Sequence, residues 1–146
     1  MKTKMLPLLF LAGLSTSVWA AQSLPVVDVY KSPSCGCCSK WIDHLEANGV
    51  QVRAHNTDDM VSHKYRLGVP PGHGSCHTAE VAGYVVEGHV PAREIKRLLK
   101  EKPHARGLVV PAMPTGSPGM EMGGHKDRYD VLLVDKQGGT RTYARY

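Results

Sequence analysis

Three of the chain's four cysteines, Cys35, Cys37 and Cys38, fall within four consecutive positions of the stretch SPSCGCCSKW. This crowding constrains the fold most, because adjacent side chains diverge and a disulfide needs Cβ atoms about 3.5–4.5 Å apart. With Cys76 the sole cysteine outside the triplet, two ordinary structural bridges do not fit; any bridge here would be local and reducible, or part of the function. The flanking residues say where the triplet sits. Val26 to Tyr30 is a β-branched and aromatic run that reads as a strand, and Cys38, Trp41, Ile42 and Leu45 recur at helical spacing before Asn48-Gly49. The pattern predicts a helix over 37–48 with the cysteines at its N-terminus.

Further along, residues 50–56 alternate as a second strand, and 58–68 make a short helix closed by Gly68. A Pro/Gly-rich loop then delivers Cys76. The order strand, helix, strand, helix favours a parallel pair. Residues 78–91 hold two short extended runs broken by Gly83 and Gly88, and Pro91 opens a helix whose buried face is Ile95, Leu98 and Leu99. Residues 107–127 read as one long Pro/Gly-rich loop carrying Met113, Met120, Met122 and His125. Loops of that length in a compact domain usually have a function. Two final strands, 129–135 and 140–146, meet at Gly138-Gly139.

Residues 1–20 have the form of a cleaved secretory signal: Lys2 and Lys4 lead the apolar stretch Met5 to Leu14, and Val18-Trp19-Ala20 offers a small-x-small cleavage site. That stretch is shorter than the ~20 residues a membrane span requires. The expected mature chain is a single domain, residues 21–146, in the periplasm, with no membrane association. Removing the signal takes two lysines and lowers the formal charge from +5 to +3. The remaining lysines and arginines are scattered and there is one phenylalanine, so neither a phosphate-tracking stripe nor a base-stacking platform is visible. Nucleic acid is therefore not an expected partner.

A helix N-terminus favours thiolate, the form of cysteine that binds metals and attacks disulfides. Cys35 and Cys38 keep the C-x-x-C spacing of exchange sites, and Cys37 would compete in any simple redox couple. Thiolates and thioethers prefer Cu(I), while imidazole accepts copper or zinc. The candidate metal ligands are Cys35, Cys37, Cys38, Cys76, His77, Met113, Met120, Met122 and His125. Zinc is less well served, since tetrahedral closure wants ligand pairs set apart. Plainer readings stand beside these. Cys38 lies on the apolar stripe as a small hydrophobe would, Cys76 could staple its loop by a disulfide, His73 is a weaker ligand candidate than His77 and His125, and His44, His55, His63, His89 and His104 have no sulfur beside them in sequence.

The cysteine triplet, the stretch GHGSCHTAEVAGYVVEGHVPAREIKRLL and the stretch VPAMPTGSPGMEM together resemble the copper-resistance CopG family, in the family's order and over nearly all of the mature chain. The resemblance implies an α/β, thioredoxin-like fold: a central mixed β-sheet, flanking helices and the cysteine motif at the start of the first helix. It also implies a copper site with metal-bridging cysteine sulfurs and a role in periplasmic copper tolerance through Cu(I)/Cu(II) conversion. Cys35, Cys37 and Cys38 match the family triplet and Cys76 the later loop; Met113, Met120 and Met122 lie in or beside the glycine-proline element. Enzyme, store and chaperone all stay open, as does a thiol-disulfide oxidoreductase using Cys35 and Cys38. The expected partners are copper ions, other periplasmic copper-handling proteins and, for redox cycling, an electron partner.

Overall fold

The computed structural model describes residues 23–146, so the signal reading of residues 1–20 lies outside the described residues. Strand β1 (Val27–Lys31), helix α1 (Gly36–Ala47) and strand β2 (Val52–Asn56) form a parallel unit, with Val29 opposite Ala54. Helix α2 (Met60–Leu67) leads to the antiparallel hairpin of β3 (His77–Val81) and β4 (Tyr84–Glu87). Helix α3 (Ala92–Glu101) crosses over to β5 (Gly107–Val109), parallel to β4, and β6 (Asp130–Val134) and β7 (Thr140–Arg145) complete the sheet antiparallel. The strand order is β2-β1-β3-β4-β5-β6-β7, a mixed sheet with flanking helices as expected.

One expectation is corrected. Residues 107–127 do not form one loop, because they open with β5, whose three residues are all buried. Three residues carry no period, so a wholly buried strand next to prolines is indistinguishable from loop in the sequence.

Alternation along the strands sorts the two faces. Val27, Val29, Ala79, Val81 and Val86 join Trp41 and Leu45 of α1 and Ile95 and Leu98 of α3 in the main core. Tyr30, Thr78 and Glu87 point to the other face, where α2 lies: Tyr30 stacks on His63 at 4.1 Å between ring centroids, and Lys64 reaches Thr78. Among the described residues no helix is long and apolar enough to cross a membrane.

Local chemistry sets the helix ends. Asp59 Oδ1 accepts the Ser62 N–H of α2 at 3.0 Å, and Gly68 closes that helix in the left-handed conformation. At α3 the capping residue is Pro91, which has no side-chain acceptor to offer. His44 of α1 supplies it instead: the Ala92 N–H donates to His44 Nε2 at 3.1 Å. Burial holds the His44 pKa below its ordinary 6.5, with the Glu121 carboxylate pulling the other way. The neutral ring is thus the folded form, and its contribution is complete above pH 6.5 and lost as pH falls through the lowered folded value. His44→Leu is expected to lower the melting temperature by ~3 °C at neutral pH and to flatten its decline under acid. An unchanged acid slope in thermal melts would remove His44 from this role.

Candidate metal centre

The β1–β3 ladder explains why Cys76 meets the triplet. Lys31, the last residue of β1, pairs with His77, the first of β3, so the loop leaving β1 and the loop entering β3 emerge side by side. Cys35 caps α1, Cys37 and Cys38 occupy its first turn, and Cys76 precedes β3 directly. Cys35 and Cys38 are joined by a disulfide, while Cys37 and Cys76 are free. Cys76 Sγ lies 3.6 Å from Cys37 Sγ and 3.5 Å from Cys38 Sγ, and Cys35 and Cys37 are 3.5 Å apart. All four sulfurs lie within 4.8 Å of one another.

Cys76 also belongs to a second group. Its sulfur lies 3.4 Å from His77 Nδ1 and 3.1 Å from His89 Nε2, and one donor atom from each of these three residues falls within 4.8 Å of the others. His89 Nδ1–H donates to the Pro118 carbonyl at 2.8 Å, which leaves the Nε2 lone pair facing the sulfur. The His77 ring packs on Trp41 at 4.3 Å, and its Nε2 is buried without a hydrogen-bond partner. Burial, then the neighbouring His89 and Lys64, drive the His77 pKa well below the usual imidazole range; burial lowers His89 too, against the Pro118 carbonyl. Both rings are neutral at pH 7, the form that binds metals.

Burial, followed by the nearby Cys37, pushes the Cys76 thiol up to about 12. Thiols poised for exchange have lowered values. This one is protonated at neutral pH. Thiols and neutral imidazoles suit a soft ion, and using all four sulfurs requires two-electron reduction of the Cys35–Cys38 bond.

A strap from 110 to 127 closes one side. Gly119 lies so close to α1 that a Cβ there would stand 2.7 Å from the Cys37 carbonyl oxygen and 2.8 Å from the Trp41 nitrogen. Gly119 N–H donates to Glu121 Oε2 at 2.9 Å, and Ser117 is buried. Met120 is half-buried, whereas Met113 and Met122 are 49% and 65% exposed. His125 is exposed and paired with Asp127 at 2.9 Å. Of the sequence candidates, the structure gathers Cys35, Cys37, Cys38, Cys76 and His77; it places the methionines and His125 along the strap.

His89 joins this group although no sulfur stands beside it in sequence. The signal was present in the two extended runs around Gly83. Paired as a hairpin they set Thr78 opposite Glu87, and two residues further that register brings Cys76 opposite His89.

Two solved structures are similar to this chain over most of its length. "Copper resistance protein copG- Form 2" is 47% identical, with a TM-score of 0.81, and the match covers 84% of this chain and 98% of that one. "Copper resistance protein copG- Form 1" is 48% identical, with a TM-score of 0.80 and the same coverage. The chain belongs to the copper-resistance CopG family. Residues 73–120, which span Cys76, His77, His89 and Met120, also match a family described as "Protein of unknown function, DUF411". No curated protein matches at a significant level. CopG membership accords with the soft-donor site that the geometry assembles at the start of α1.

Proposed function

We propose that the protein binds copper as Cu(I) in the periplasm and so contributes to copper resistance. The observation that carries this reading is the cluster of four cysteine sulfurs within 4.8 Å of one another, with Cys76 shared between it and the two buried imidazoles. A thiolate common to two donor groups is suited to bridging ions, so the reduced site holds more than one copper. Met113, Met120 and Met122 put thioether donors on the strap that covers this site. Release as Cu(II), with an electron partner taking the electron, would extend sequestration to redox conversion.

A second reading, thiol-disulfide exchange, is favoured by the Cys35–Cys38 bond and by Cys76 Sγ lying 3.5 Å from Cys38 Sγ. Anaerobic titration of the reduced chain with Cu(I), in the presence of Zn(II), separates the two. More than one copper per chain with ultraviolet thiolate-to-copper absorption is the expected result. One equivalent or none, together with copper-independent reduction of insulin disulfides that depends on Cys35, would transfer the function to exchange chemistry.

A further inference from the structure

Behind the sulfur cluster, on the α2 face of the sheet, the fully buried Glu87 grips the segment that carries the shared cysteine. Its Oε1 accepts the Ser75 backbone N–H at 2.6 Å and the Lys64 ammonium at 2.5 Å, while Oε2 accepts the Thr78 hydroxyl at 2.5 Å. Lys64 also donates to Thr78 Oγ1 at 2.8 Å. One carboxylate thereby ties the residue before Cys76 and the residue after His77. Ser75 is tethered on its other side as well, its hydroxyl donating to the Ala112 carbonyl of the strap at 2.5 Å.

Stability alone is a poor reason for such a pair. A buried lysine–carboxylate contact can often be exchanged for apolar side chains of similar volume at no loss, because desolvation cancels the attraction. A carboxylate adds two acceptors at a fixed spacing, which matches the spacing of Ser75 N–H and Thr78 Oγ1. Groups that orient metal ligands from behind typically change metal affinity about 10–100-fold when removed.

We propose that Glu87, with Lys64 as its counter-ion, is a positioning residue that clamps Ser75 and Thr78 so that Cys76 Sγ and His77 Nδ1 stand in ligating position. This rests on the copper reading of the site. Two variants of the whole chain isolate the tether from the charge: K64M/E87Q keeps an acceptor for Ser75 and an amide N–H for Thr78, and K64M/E87L keeps neither. In competition with a chromophoric Cu(I) chelator, K64M/E87Q should stay within about threefold of wild type and K64M/E87L should bind about 10–100-fold more weakly. Their melting temperatures should be similar. A copper-free readout accompanies it: in a C35S/C38S background, the rate at which diamide couples Cys37 to Cys76 should fall about tenfold in K64M/E87L alone, because the two sulfurs are no longer held together.

Equal copper affinity in the two variants would overturn the clamp. If wild type takes up no copper, the functional reading fails, and equal diamide rates would then overturn the clamp independently. Should K64M/E87L melt far below wild type, Thr78→Val, which deletes one tether at constant volume, takes its place. Wild-type affinity in that chain would defeat the proposal.

Discussion

Serine at position 76 is expected to weaken Cu(I) binding on the order of 100-fold or more and to reduce the number of ions held per chain. Loss of a supporting group behind a ligand already costs up to about that factor, and Cys76 is itself a donor, common to the four-sulfur group and to the pair of imidazoles. Cys37→Ser removes a donor from one group alone and should cost less. Because Cys76 is half-buried and close in size to serine, the fold should survive, as a near-wild-type melting temperature would verify. Chelator competition and metal analysis read the effect. Equal losses for the two variants would mean that Cys76 has no bridging role, and no loss at either would exclude the cluster as the copper site.

The second large effect is expected from Gly119→Ala. The residue has φ of +86°, where an L side chain is strained, and the added methyl would press on backbone atoms of Cys37 and Trp41 rather than on a side chain that could turn away. Helix α1 cannot yield locally, since Trp41 is fully buried and donates through Nε1 to the Val90 carbonyl at 2.9 Å. The strap must lift instead, and the His89–Pro118 hydrogen bond goes with it. Left-handed strain and overpacking together should cost about 2–4 kcal/mol, a fall of roughly 10 °C in melting temperature for a chain of this size. Copper affinity should fall as well, because His89 loses the contact that orients its ring. A shift under about 2 °C would show that the strap is not seated on the helix as described.

The parts that were legible in the sequence are those specified locally. The helical spacing of Cys38, Trp41, Ile42 and Leu45 predicted a helix that the structure places at Gly36–Ala47, with Cys38, Trp41 and Leu45 buried and Ile42 partly so. The parallel β1–β2 pair followed from element order, and the grouping of Cys35, Cys37 and Cys38 at the start of α1 from their spacing, whereas the approach of Cys76 depends on the β1–β3 ladder. What escaped notice depends on register between distant segments. His89 becomes a neighbour of Cys76 through the hairpin, and β5 becomes a strand through pairing with β4 on one side and β6 on the other. The pairing of Cys35 with Cys38 was among several open possibilities, since C-x-x-C spacing suits exchange as well as metal binding.

Cys76 and His89 reach the triplet only through the β3–β4 hairpin and its ladder to β1. A nascent or denatured copy therefore displays the short CGCC segment by itself, without the fourth sulfur or either imidazole. Under the proposed copper binding, the full donor set exists only once the chain has folded, so loading of the complete site would follow folding.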